Sequence, residues 1–216
     1  IAMLSETGAT PVGQSKWFAT VVVESPDSTV AEQLQQLAIV DSVKWIWKGN
    51  LRVPAEEKRE DRFVSEDEPL HNEYGYSYKQ IKMLNGTKLH EAGFRGEGMR
   101  VAVIDAGFMN ADRVSAFDSL RLLGTHNVVF PGKSVFVGDD HGTKVLSCLA
   151  ADIPGVMVGT APKASYLLLK SEDSDSEYPV EEDYWTAAVE YADSAGVDVI
   201  SSSLGYFAFD TDELSY

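Results

Sequence analysis

The chain has 216 residues, 44% hydrophobic and 10% aromatic, which is enough for one medium domain or a small unit beside a larger one. Its net charge of −16 is concentrated: Ser171 to Tyr216 holds thirteen Asp or Glu and no Lys or Arg, a surface that repels phosphate backbones and disfavours nucleic acid. No apolar run approaches the ~20 residues of a membrane span, and the lone cysteine, Cys148, excludes an intrachain disulfide or a multi-cysteine metal site.

Residues 1–16 read as an irregular, flexible N-terminus. Trp17 to Glu24 is rich in β-branched and aromatic residues and predicts a strand, broken by Pro26 and Asp27. Thr29-Val-Ala-Glu32 fits a capping box opening a helix with Val30, Leu34, Leu37 and Ala38 on one face. Val43, Trp45 and Trp47 alternate with Lys44, Ile46 and Lys48, predicting a second strand. This strand–helix–strand unit, residues 17–53, is too small to bury a large core alone. Residues 54–72 are polar and densely charged and read as a linker, so residues 73–216 form a second block.

That block has the rhythm of an α/β fold. The pattern predicts a helix over Ile81–Ala92, a buried strand over Met99–Ile104 and a short strand over Asn127–Phe130. It continues with a helix over His141–Asp152, a buried strand over Ser165–Lys170, a helix over Glu181–Ala195 and a buried strand over Val197–Ser201. Strands alternating with helices at these lengths predict a mostly parallel sheet wound on both sides. Cys148, among apolar neighbours and about two helical turns beyond His141, is expected to be a small buried hydrophobe and not a nucleophile.

Functional groups in such a sheet gather beyond the carboxyl ends of its strands. Asp105 ends one strand, Ser201-Ser-Ser-Leu-Gly205 ends another, and His141 opens a helix that can be presented at the same rim. An imidazole is the natural proton shuttle near neutral pH, and a carboxylate on its other nitrogen fixes its tautomer. A serine beside that base would be the nucleophile. Taken alone, Asp105 or His141 could equally be a helix cap, a turn residue or a surface group. Ser201 and Ser202 lie in a strand and lack a nucleophile's strained turn. His71, His90 and His126 lack such context and are expected to be structural or solvent-facing. Asp173, Asp175 and Glu177 alternate with serines, which fits either a calcium loop or a solvated loop. Gly93-Phe-Arg-Gly96-Glu-Gly98 precedes its strand, the wrong order for dinucleotide binding. A phosphoaspartate or metal-dependent enzyme built on Asp105 is disfavoured, because no Asp-x-Asp pair accompanies that strand end.

Four segments together resemble the subtilisin-like serine peptidases. Val101-Ala-Val-Ile-Asp105-Ala-Gly107 is similar to the family's Asp motif, and Asp140-His141-Gly-Thr143 to its His motif. Gly159-Thr-Ala-Pro162 through Leu169 resembles the approach to a central strand, and Asp198 through Gly205 the strand lining the substrate cleft. The resemblance implies that His141 is the general base and Asp105 orients it. It implies too that Ser203, Leu204 and Gly205 bind a peptide or protein substrate through backbone pairing and a specificity pocket. Residues 17–53 resemble part of the propeptide of such enzymes. Lys144 stands where the family often has a second His. The oxyanion Asn and the Gly-Thr-Ser nucleophile of the family are expected beyond Tyr216, in a C-terminal remainder that would be this chain's partner, and the chain alone is expected to be inactive. No cofactor is required by such chemistry, structural calcium is compatible with it, and the family implies a secreted or periplasmic location. The alternative function is a non-catalytic member that uses the same cleft to bind peptides.

Overall fold

The computed structural model describes residues 1–47 and 72–210. Near the N-terminus, helix α1 (Ala2–Ser5) leads into strand β1 (Thr10–Ser15), which pairs antiparallel with β2 (Thr20–Glu24). Helix α2 (Thr29–Gln35) follows. Leu4 and Ala9 bury themselves against Val30 and Leu34 to form a small core. Residues 1–16, expected to be irregular and flexible, therefore contain a helix and a paired strand. Pro11 and Gly13 argue against a strand locally, but a register shift between them accommodates both in the hairpin. The expected strand start at Trp17 is instead the hairpin turn, with Trp17 and Phe18 exposed. Residues 43–47 do not form the predicted second strand; Ile46 and Trp47 pack on the larger core as irregular chain. The expected linker, 54–72, lies outside the described residues apart from Asn72.

The second block opens with α3 (Tyr78–Met83) and α4 (Gly86–Glu91), two short helices where one was predicted. Asn85 takes a left-handed conformation (φ 57°) that breaks the helix between them. The remaining elements are β3 (Arg100–Asp105), β4 (Arg121–Asn127), α5 (His141–Ala150), the short antiparallel pair β5 (Asp152–Ile153) and β6 (Met157–Val158), β7 (Ser165–Lys170), α6 (Val180–Ser194) and β8 (Val199–Ser202).

Four of these strands form one parallel sheet in the order β4-β7-β3-β8. Side chains alternate across it, as the two-residue period of a strand requires. Val101, Val103, Tyr166 and Leu168 face one way, packing with Phe108, Leu146 and Ala150. Ala102, Ile104, Leu167 and Leu169 face the other way, against Tyr184, Ala188 and Ala192 of α6. Helices thus cover both faces, and the continuous apolar runs of β3 and β7 follow from that double cover. β8 is less enclosed than its apolar sequence predicts, since Val199 and Ile200 are exposed. The fourth strand lies at Arg121–Asn127 and not at 127–130; among the described residues β4 pairs with β7 alone, and its Leu122 and Leu123 are exposed.

From β3 the chain runs outward to β4, returns through α5 to β7, and crosses by α6 to β8 on the far side of β3. The carboxyl end of β3 is therefore where the winding reverses, and there a crevice opens in sheets of this kind. Asp105 occupies that end.

Candidate active site

Asp105 is the last residue of β3 and is completely buried. His141 is the first residue of α5, with its side chain about half exposed. The Asp139 carboxylate accepts the His141 backbone N–H at 2.7 Å, and Thr143 Oγ1 donates to the Met109 carbonyl at 2.9 Å. These bonds fix the start of α5 against the loop that leaves β3. Two glycines permit the approach. A Cβ on Gly142 would come within 2.5 Å of the Gly107 carbonyl oxygen and 2.9 Å of Asp105 Cβ. Gly107 has a positive φ (155°) and lies against the Asp139 backbone.

The result is a direct bond: His141 Nδ1 donates to Asp105 Oδ1 at 2.7 Å. The Ala106 N–H donates to the same oxygen at 2.8 Å. Bonding to Asp105 raises the His141 pKa above its ordinary value, against a smaller opposing effect of burial. Burial pushes the Asp105 carboxyl up, and the bonds from His141 and Ala106 pull it partly back. With Nδ1 committed to the carboxylate, Nε2 is the nitrogen left to take a proton. Among the described residues no serine or cysteine hydroxyl or thiol is bonded to His141. Ser147 and Cys148 both donate to the Lys144 carbonyl. Cys148 is exposed, contrary to the expectation of a buried thiol, because it lies on the outward side of α5 while Leu146 and Ala150 take the inward one.

Ser203, Leu204 and Gly205 continue from the carboxyl end of β8, at the same end of the sheet as Asp105. Leu204 packs against the core on the α6 side, Ser203 and Gly205 are exposed, and none of the three is bonded to His141. His90 is structural: it is buried, bonded to the Tyr74 hydroxyl and the Thr160 carbonyl. His126 stacks on Tyr191, and His71 lies outside the described residues. Asp173 and Asp175 do not gather with Glu177; instead Glu172, Glu177 and Glu181 converge. Glu177 precedes α6, which starts at Val180, so no helical spacing in the sequence marked the cluster.

Curated proteins are similar to this chain over part of its length. Subtilisin E of Bacillus subtilis is 32% identical over 147 residues, covering 66% of this chain and 36% of that protein. The major intracellular serine protease of Bacillus subtilis is 31% identical over 133 residues, 58% of this chain and 40% of its own length. Over this stretch the chain is subtilisin-like. The thermostable alkaline protease of Halalkalibacterium halodurans extends the similarity to 87% of this chain at 25% identity, across 49% of that protein. The subtilisin-like chain therefore spans less than half the length of these curated relatives. No protein-family model matches it. Among solved structures, the MycP3 protease of a type VII (ESX-3) secretion system superposes with a TM-score of 0.46 at 22% identity, covering 57% of this chain and 36% of that one.

Proposed function

We propose that this chain supplies the base and its orienting carboxylate to a serine endopeptidase that hydrolyses peptide bonds through a Ser-His-Asp triad. The observation that carries the reading is the 2.7 Å bond from His141 Nδ1 to fully buried Asp105. In that mechanism His141 Nε2 removes the proton from a serine hydroxyl as it attacks the peptide carbonyl, then returns it to the leaving amine. Asp105 holds the ring in the tautomer that leaves Nε2 unprotonated and stabilises the imidazolium that forms. The serine comes from sequence outside these 216 residues, and the 216-residue chain alone is inactive. Ser203, Leu204 and Gly205 offer backbone to an extended peptide or protein substrate, a mode in which main-chain pairing gives affinity and pockets give selectivity. Residues 17–53 act as a propeptide-like unit, and the enzyme is secreted or periplasmic.

Labelling of the complete protein with a serine-reactive fluorophosphonate tests this reading. Labelling of wild type and its loss in His141→Ala are expected. If the complete protein takes no label, the peptidase reading falls and the cleft is left as a peptide-binding surface.

A further inference from the structure

Apart from the Asp105–His141 pair, buried charge is densest where β7 gives way to α6. Glu172 and Glu181 are 8% and 1% exposed, Glu177 is at the surface, and one carboxylate oxygen from each lies within 4.8 Å of the other two. Local sequence produces the convergence. Glu172 leaves β7 two residues past its end, Tyr178 and Pro179 lead the chain into α6, and Glu181 lies in the first turn of that helix.

Acidic residues in a first helical turn are common because they complement the helix dipole. That accounts for Glu182 and Asp183, but not for a carboxylate with 1% exposure. The Asp173 N–H donates to Glu181 Oε1 at 2.9 Å and holds the group in place. Its other oxygen, Oε2, is buried and accepts no hydrogen bond among the described residues. The Glu177 carboxylate lies within hydrogen-bonding reach of Glu181, so two acid groups converge on one spot. Tyr206 donates its hydroxyl to Glu172 Oε1. Lys170, a nearby cation, directs Nζ to the Ala106 carbonyl and neutralises none of the three by contact. Buried charges of one sign are otherwise paired or coordinate metal.

We propose that Glu172, Glu177 and Glu181 bind one hard divalent cation of the calcium class. The donors are all oxygen, with no imidazole or thiolate to favour zinc or copper. Calcium takes oxygens at ~2.3–2.6 Å, so ligands on opposite sides of one ion stand about 5 Å apart, a span that accommodates these three. The ion would tie the loop after β7 to the first turn of α6. That loop is already joined to the site, since the Ser171 N–H donates to the Asp105 carbonyl at 3.1 Å. The cation would thus brace the chain segment beside Asp105 without touching the reacting atoms.

Terbium luminescence and calcium competition on the complete protein, stripped with chelator, test the site without any readout of peptidase activity. One saturable Tb³⁺ per chain, displaced by Ca²⁺, and a calcium-dependent rise in the unfolding midpoint are expected. Glu177→Gln alters an exposed residue, so it should fold normally in chelator yet bind at least about tenfold more weakly. Glu181→Gln should abolish saturable binding. Asp175→Asn, exposed and equal in charge change, should leave binding unaltered. Absence of saturable binding at millimolar Ca²⁺, or equal binding by wild type, Glu177→Gln and Glu181→Gln, would overturn the proposal. So would a proton shared by Glu177 and Glu181, seen as a stability that follows pH and ignores the cation.

Discussion

His141 and Asp105 join a half-exposed imidazole to a carboxylate with no solvent exposure, across 2.7 Å. The asymmetry has a chemical use. The buried partner cannot reorient toward water, while the far side of the imidazole stays open to a reactant.

The bond is expected to appear directly in the titration of His141. Followed by NMR, its imidazole should titrate above 6.5, because bonding to Asp105 raises its pKa. Asp105→Asn should bring the midpoint down. The sign for stability follows from the same shift. A His whose folded pKa is raised stabilises the fold fully below 6.5 and loses that contribution as pH rises through the folded value. The stability difference between wild type and His141→Asn should therefore shrink across that window. A His141 midpoint at or below 6.5 would show that the bond does not persist in solution.

The N-terminal hairpin should be released by acid. Glu190 on α6 accepts the backbone N–H groups of Lys16 and Trp17 at 3.0 and 3.1 Å, along with the Ser15 hydroxyl. The bond from Ser15 leads in lowering its pKa below 4.5. A carboxylate lowered in the folded state contributes stability above its unfolded pKa and loses it as pH falls through the folded value. Acidification below about 4.5 should therefore loosen the hairpin turn, where Trp17 and Phe18 are already exposed. Limited proteolysis with an acid-stable protease measures this as faster cleavage near Trp17–Phe18. Glu190→Gln should show increased cleavage at neutral pH. Equal cleavage rates in wild type and variant at every pH would mean that Glu190 does not hold the hairpin.

How far the sequence revealed this fold depends on the distance over which each element is determined. β3 and β7 were legible because a strand covered on both faces must be apolar throughout, and Val101–Ile104 and Tyr166–Leu169 are. Asp105 and His141 were legible because each ends or begins a well-marked element within a recognisable motif. β1 was missed because Pro11 and Gly13 are poor strand residues whose pairing with Val22 and Val23 is set by the hairpin, not by their own preferences. The break at Asn85 was missed because a left-handed residue is a single local event inside a helical pattern. The Glu172, Glu177 and Glu181 cluster was displaced in the reading by the more regular Asp173 and Asp175, since alternation in sequence says nothing of which carboxylates turn inward.

Gly142 is expected to be the glycine least tolerant of a side chain at the site. Alanine there places Cβ within 2.5 Å of the Gly107 carbonyl oxygen, 2.8 Å of Phe108 Cε1 and 2.9 Å of Asp105 Cβ. A glycine-to-alanine change inside a helix would ordinarily gain about 0.8–1 kcal/mol from backbone entropy. Overpacking against fixed backbone costs about 1–3 kcal/mol, and here the carbonyl cannot swing aside as a flexible side chain could. The clash should therefore outweigh the helix gain, leaving Gly142→Ala less stable than wild type by about 1–2 kcal/mol in urea denaturation. Lys144→Ala, two residues along on the exposed side of the same helix, should stay within about 0.5 kcal/mol of wild type. The more informative readout is again His141. If the alanine forces α5 away from the end of β3, the Nδ1 bond lengthens and the imidazole titrates closer to 6.5. An unchanged midpoint together with lost stability would mean that strain is absorbed in the Gly107–Phe108 loop, leaving the pair intact.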